Sequence, residues 1–180
     1  FKDKAFPAEM NSISGNAKDQ NTRVQLDRDV MAFKDHDFEN AQGNTPELFK
    51  DGVSPNDVAQ GSLGDCYLLA ALATLAEWPH RIEKVFLSNQ ADKDKSLEFA
   101  DKNGVKQHVL VDNYLPVMNQ RYGGGPIFAK SHGNELWPAI AEKCFAKFHK
   151  GYMIIEGGLT GPTMRDLTGA PTYMYNFSKG

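Results

Sequence analysis

The chain has 180 residues, 41% of them apolar and 24% charged, with a formal net charge of −3. That is an ordinary globular composition, long enough for one domain with a sizeable core. The slight acidity excludes a dedicated nucleic-acid binder, and no apolar run approaches the ~20 residues that span a bilayer as a helix. Two cysteines do not make a disulfide framework, so Cys66 and Cys144 read as free thiols of a reducing compartment. The chain begins with Phe1 rather than Met, as a processed or truncated piece would.

Residues 1–22 are polar and irregular, and read as a loose leader or linker. Residues 23–49 mix charges with scattered apolar side chains. Within them, Thr45 as cap and Pro46 at the first position predict a short helix over 45–49. Residues 50–60 form a turn-rich loop, punctuated by Gly52 and Pro55.

The stretch Gln60–Trp78, QGSLGDCYLLAALATLAEW, has the form of a catalytic loop running into a buried helix. Tyr67 to Ala73 is an unbroken apolar run, and a helix apolar on nearly every face belongs inside a protein. Gly61 and Gly64 allow a tight turn at its entrance. Asp65 suits an N-cap, and Pro79 closes the helix. Cys66 then falls at the first helical position, where the helix dipole favours thiolate over thiol. Gln60, six positions earlier, can fold back to donate a hydrogen bond to an oxyanion formed at the sulfur. A bland alternative is an inert core cysteine.

Residues 80–87 predict a second short helix. The loop 88–95 resembles a calcium loop superficially, but lacks the glycine and terminal glutamate of an EF-hand. Leu97 and Phe99 alternate with polar neighbours ahead of Asn103-Gly104, and Val105, Val109 and Val111 follow, which predicts a hairpin over 96–112. His108 lies on its second strand as a packed or surface residue. Gly123 to Pro126 mark a loop. Residues 134–149 carry the clearest amphipathic pattern: Leu136, Ile140, Cys144 and Phe148, widened by Trp137, Ala141 and Phe145. Asn134 is placed as its cap, with Pro138 in the first turn. Cys144 sits on the apolar stripe as a core cysteine. His149 falls at the C-terminal end, where a cation suits the dipole. Gly157-Gly158 and Gly161-Pro162 break the chain. A short helix through Asp166 and a strand at 172–177 complete it.

QGSLGDCYLLAA closely resembles the nucleophile segment of the calpains, calcium-dependent papain-like cysteine proteases of the cell interior. GNELWPAIAEKCFAKFHKGY (133–152) and IEGGLTG (155–161) are similar to further calpain segments, in the expected order. The resemblance covers roughly residues 46–175, about three quarters of the chain. Tyr67 departs from it, since the best-known calpains carry Trp beside the nucleophile. So do Pro162, Met164 and Arg165, in a segment that is usually more acidic.

The resemblance implies an α+β fold: the helical subdomain of a papain-like protease, with a buried central helix and a small antiparallel hairpin. It divides the chain into an N-terminal extension over 1–45 and the first protease-core subdomain over 46–180. It makes Cys66 the nucleophile and Gln60 the oxyanion donor, and puts the backbone of Gly158 against the substrate chain. It implies one calcium ion held by Asp57, Glu135 and the carbonyl of Gly52. Hard cations favour such carboxylate and carbonyl oxygens, although a turn cap and a first-turn helix acid would also account for the two acids. The general base and its orienter, a His and an Asn, belong to a second subdomain. His36, His80, His108, His132 and His149 all lack the Gly-His-Ala-Tyr context of that base, and no Asn-Pro-Trp occurs. The implied function is therefore the nucleophile-bearing half of a calcium-dependent endopeptidase acting on protein substrates, inactive alone, in the cytoplasm. The alternatives are a catalytically silent calpain-like module that binds calcium or a partner, or another papain-like enzyme such as a transglutaminase or deubiquitinase.

Overall fold

The computed structural model describes residues 2–15, 31–35, 47–88, 95–112, 114–118, 125–132, 135–175 and 177. Five helices and four strands lie within them: α1 (Met10–Ser14), β1 (Met31–Asp35), α2 (Cys66–Ala76), α3 (Pro79–Val85), β2 (Lys95–Ala100), β3 (Lys106–Val111), β4 (Tyr114–Met118), α4 (Trp137–Phe148) and α5 (Thr160–Thr168). Short 3-10 turns stand at Pro55–Asp57 and Met153–Ile155.

Helix α2 buries Leu68, Leu69, Ala71, Leu72, Leu75 and Ala76. One stripe remains open: Cys66, Ala70 and Thr74, spaced at the helical repeat, are exposed. Pro79 opens α3 rather than closing α2, since a first-turn proline gives up an N–H that has no helical partner. Helix α4 has no side-chain cap. Its first amides donate instead to backbone carbonyls, Leu136 N–H to Glu47 at 2.8 Å and Trp137 N–H to Leu48 at 3.1 Å. For this reason residues 47–50 are not helical, contrary to the expected helix over 45–49: their carbonyls serve another helix's start. The expected caps Thr45 and Asn134 lie outside the described residues.

Strands β2 and β3 form the expected antiparallel hairpin, with Leu97 opposite Val109 and Ala100 opposite Lys106. Its connection is longer than a two-residue turn. Asp101 Oδ1 accepts the N–H groups of Asn103 and Val105 at 2.8 and 3.0 Å, and Gly104 takes φ +77°. A second antiparallel pair joins β1 to β4, from Met31 opposite Met118 to Asp35 opposite Tyr114. It was not legible in the sequence. The stretch 171–175 forms no strand, and Tyr173, Met174 and Tyr175 are exposed. Gly161 and Pro162 fall inside the first turn of α5 instead of breaking the chain.

The core lies among α2, α4, the hairpin and α5, around Leu68, Leu72, Leu97, Phe99, Ile140, Cys144 and Leu167. Phe6 and Ile13 belong to it, which corrects the reading of the N-terminus as loose over the described residues 2–15. Phe6 and Ile13 are buried, and the Phe6 ring lies 5.9 Å from that of Tyr152. Asp3 ties this segment down. Its Oδ1 accepts the amides of Ala5 and Phe6, each at 3.0 Å, its N–H donates to Asp112 at 3.0 Å, and Lys147 donates to its Oδ2 at 2.5 Å.

Beside it, Lys143 is buried on α4. Its ammonium donates to Asp112 Oδ1 at 2.5 Å and to the carbonyls of Asp112 and Tyr114 at 2.9 and 2.5 Å. Three acceptors match its three protons. Removing one partner of a buried ion pair strands the other charge. Asp112→Ala is therefore expected to cost about 3–5 kcal/mol of unfolding free energy in urea titration. Asp112→Ala with Lys143→Met should recover most of that loss.

Candidate active site

The loop before α2 is fastened along a backbone seam. Ala59 and Lys130 exchange two hydrogen bonds, at 2.9 and 2.8 Å, and Ser62 N–H donates to the Ile127 carbonyl at 3.0 Å. The approach at Gly61 is so close that a Cβ there would stand 1.8 Å from the Phe128 oxygen. No other residue fits that position. Gln60 is exposed at the loop's start, and its side-chain amide donates to the Leu63 carbonyl at 2.8 Å. An amide nitrogen carries two protons, so one remains for another acceptor.

Cys66 opens α2 and is exposed, whereas Cys144 is wholly buried. Burial pushes the Cys144 thiol up to about 12, which keeps it protonated and inert. Asp65 stands at the N-cap position, but its side chain makes no cap hydrogen bond. The expected capping role does not hold. The carboxyl is wholly buried and turned toward Glu142 of α4, and burial raises its pKa.

Tyr67 sits partly buried on the other side of the nucleophile. Its hydroxyl donates to the Ile155 carbonyl at 2.8 Å. A Cβ at Gly158 would lie 2.5 Å from Tyr67 Cζ, so the chain at 158 rests directly on the phenol ring. Gly157 N–H donates to the Gly64 carbonyl at 2.8 Å. The 155–158 turn thus docks on the nucleophile segment at three points. Burial, then the charges of Asp65, Asp166 and Cys66, push the Tyr67 phenol up to about 12, and it stays a donor.

Asp57 and Glu135 lie in contact despite their separation in sequence. Asp57 Oδ2 accepts Ser54 N–H at 2.6 Å and the Trp137 indole N–H at 3.2 Å. Glu135 Oε1 accepts Lys50 N–H at 2.6 Å, while its Oε2 is buried with no partner. Burial first, and then the charge of Asp57, push Glu135 up to about 7. Gly52 lies in the same loop at φ +93°. Among the described residues no three His, Cys, Asp or Glu side chains cluster as a metal site. Calcium does not require that, because carbonyls complete its shell. The orphaned Oε2 beside a second carboxylate fits a hard cation.

Among the described residues no histidine hydrogen-bonds to Cys66. His108 pairs with Glu98 at 3.1 Å on the hairpin, and His149 Nε2 stands 3.6 Å from Asp166 Oδ2. Burial lowers the pKa of His149, so the cation expected at the end of α4 is disfavoured. His36 lies outside the described residues. Pattern reading missed Glu142 and Lys143, both buried on α4. The available signal was two charges within an otherwise apolar stretch, 137–146.

The sequence model of the calpain family of cysteine proteases matches residues 1–180. The chain is 33% identical to the calpain-type cysteine protease DEK1 of Arabidopsis thaliana over 172 residues, 94% of this chain and 8% of that protein. It is 30% identical to Calpain-A of Drosophila melanogaster over 184 residues, 99% of this chain and 20% of the relative. It is also 30% identical to the Calpain-1 catalytic subunit of Bos taurus over 188 residues, 99% and 24% of the two chains. The chain thus spans less than a quarter of the length of these relatives. With an exposed cysteine opening a mostly buried helix, a fastened loop before it and this extent of match, the chain belongs to the calpain family of cysteine proteases.

Proposed function

We propose that this chain is the nucleophile-bearing subdomain of a calcium-dependent, calpain-like cysteine endopeptidase. The observation that carries this reading is the exposed thiol of Cys66 at the first turn of α2, beside a loop held by the Gly61 seam. In it Cys66 attacks the scissile carbonyl, Gln60 donates to the resulting oxyanion, and the backbone at Gly158 lines the substrate chain. Residues 46–180 form the catalytic subdomain, and 1–45 are an N-terminal extension that packs into its core through Phe6 and Ile13 and pairs with it through β1. A second subdomain supplies the His that takes the thiol proton and the Asn that orients it. The substrates are proteins, and the compartment is intracellular. No helix among the described residues is long and apolar enough to cross a membrane.

Calcium would be held by Asp57, Glu135 and the Gly52 carbonyl. Its charge would relieve the repulsion of two carboxylates and fix the loop that ends at Gln60. The retained Cys66 and Gln60 favour this reading over a catalytically silent calpain-like module.

Three outcomes test it. The 180-residue chain alone should not cleave a fluorogenic peptide, and activity abolished by Cys66→Ala would show that the base lies within it. Limiting iodoacetamide should label Cys66 ahead of Cys144 by mass spectrometry, because one thiol is exposed and the other buried. Equal labelling in the folded chain would remove the nucleophile assignment. Millimolar calcium should raise Tm by mass action, and magnesium should substitute poorly. The shift should vanish in Asp57→Ala with Glu135→Ala. An unmoved Tm, with no heat in titration calorimetry, would leave these acids as a turn cap and a helix-start residue.

A further inference from the structure

Two buried acids stand behind the candidate nucleophile without a role in that chemistry. Asp65 is 0% exposed, and no donor among the described residues reaches either of its carboxyl oxygens. Glu142 is 2% exposed and accepts the Ala129 N–H on its two oxygens at 3.0 and 3.1 Å. The two carboxyl groups face each other within hydrogen-bond reach. The other titratable groups facing the pair are Tyr67 on α2 and Tyr152 beyond α4, whose hydroxyl is buried without a partner. None of these supplies a positive charge.

Two carboxylates in contact in such a place cannot both be ionised. Ionised, they also have no donor between them; one proton makes one acid the other's donor. The position of Glu142 gives this proton a consequence for the site. Ala129 lies between the two points, Ile127 and Lys130, that hold the loop at Ser62 and Ala59. Asp65 precedes Cys66 at the loop's other end. One side chain therefore braces both ends of the segment from Gln60 to Cys66.

We propose that Asp65 and Glu142 share a single proton, and that the protonated pair is the positioning device for the nucleophile loop. Burial, followed by the charge of Asp65, raises Glu142 well above the usual carboxylate range, in agreement with this arrangement. The functional half of the inference rests on the reading of Cys66 as nucleophile.

The sign of the pH effect follows. The folded pair keeps a proton that an unfolded carboxylate releases above about pH 4.3. Stability then falls as pH rises, and the unfolding constant climbs by up to about tenfold per pH unit relative to a chain without that proton. Glu142→Gln and Asp65→Asn each place an amide donor where the shared proton was.

The test is urea unfolding of the full chain from pH 5 to pH 8, with both single variants and their double. Each single variant should flatten the pH dependence by up to about one proton's worth, and the double should flatten it no further. Variants that follow the parent slope would overturn the shared proton. This slope is read without reference to Cys66, so it stands or falls apart from the protease reading.

The positioning role is read from iodoacetamide labelling of Cys66 in the folded chains. Glu142→Gln should keep the parent rate and its pH profile. Glu142→Leu and Asp65→Ala, whichever folds, should label about tenfold or more differently, as misplaced reacting groups do. A parent rate and profile in either folded variant would overturn the positioning role.

Discussion

The candidate site depends on one close backbone approach. Where residues 59–62 run against 127–130, the Phe128 carbonyl occupies the space a side chain at 61 would need. The contact is all backbone, so its geometry is independent of rotamers, and it places the loop before a single side chain is considered. Tyr67, one residue past the thiol, extends the fastening to the 155–158 turn. The nucleophile segment is thus held between two other segments, both of which reach it from beyond the hairpin.

Two acid pairs flank this arrangement, and they show how the same electrostatic problem is treated at different depths. Asp57 and Glu135 meet at the edge, partly hydrogen-bonded by backbone amides and the Trp137 indole, with one oxygen left over. Asp65 and Glu142 meet in the interior. Repulsion between carboxylates is relieved by a counter-cation, by protonation or by donors. The edge pair lies in a loop rich in carbonyls and suits a cation, while the interior pair suits a proton. Another buried acid, Asp112, has Lys143 as its partner. Asp65, Glu142 and Asp112 differ in their partners far more than in their burial.

Much of the arrangement was legible in the sequence. The apolar run after Cys66 gave α2 almost to the residue, and the alternation around Leu97 and Val109 gave the hairpin. Asp57 and Glu135, which the resemblance names together, lie in contact. What escaped was non-local. Strand β1 pairs with a partner 79 to 87 residues downstream, from Asp35 opposite Tyr114 to Met31 opposite Met118, and no local pattern announces that. Glu142 and Lys143 went unnoticed, since charged side chains are normally solvated. Their burial is set by Ala129, Asp65 and Asp112, which the helix's own sequence does not contain. Tyr173 to Tyr175 have strand-forming side chains, yet they are exposed and unpaired with any strand. Propensity specifies a strand only where a neighbour accepts it.

The bond between Asp3 and Lys147 joins residues 144 positions apart. A ribosome adding about 5–20 residues per second makes that interval on the order of 7–30 s. The segment around Asp3 leaves the tunnel well before its partner on α4 exists, so it settles late. Phe6 and Ile13 wait exposed until α4 and the turn after it have been made. Such long-range closure slows folding, and it leaves an apolar segment open to chaperones for that interval.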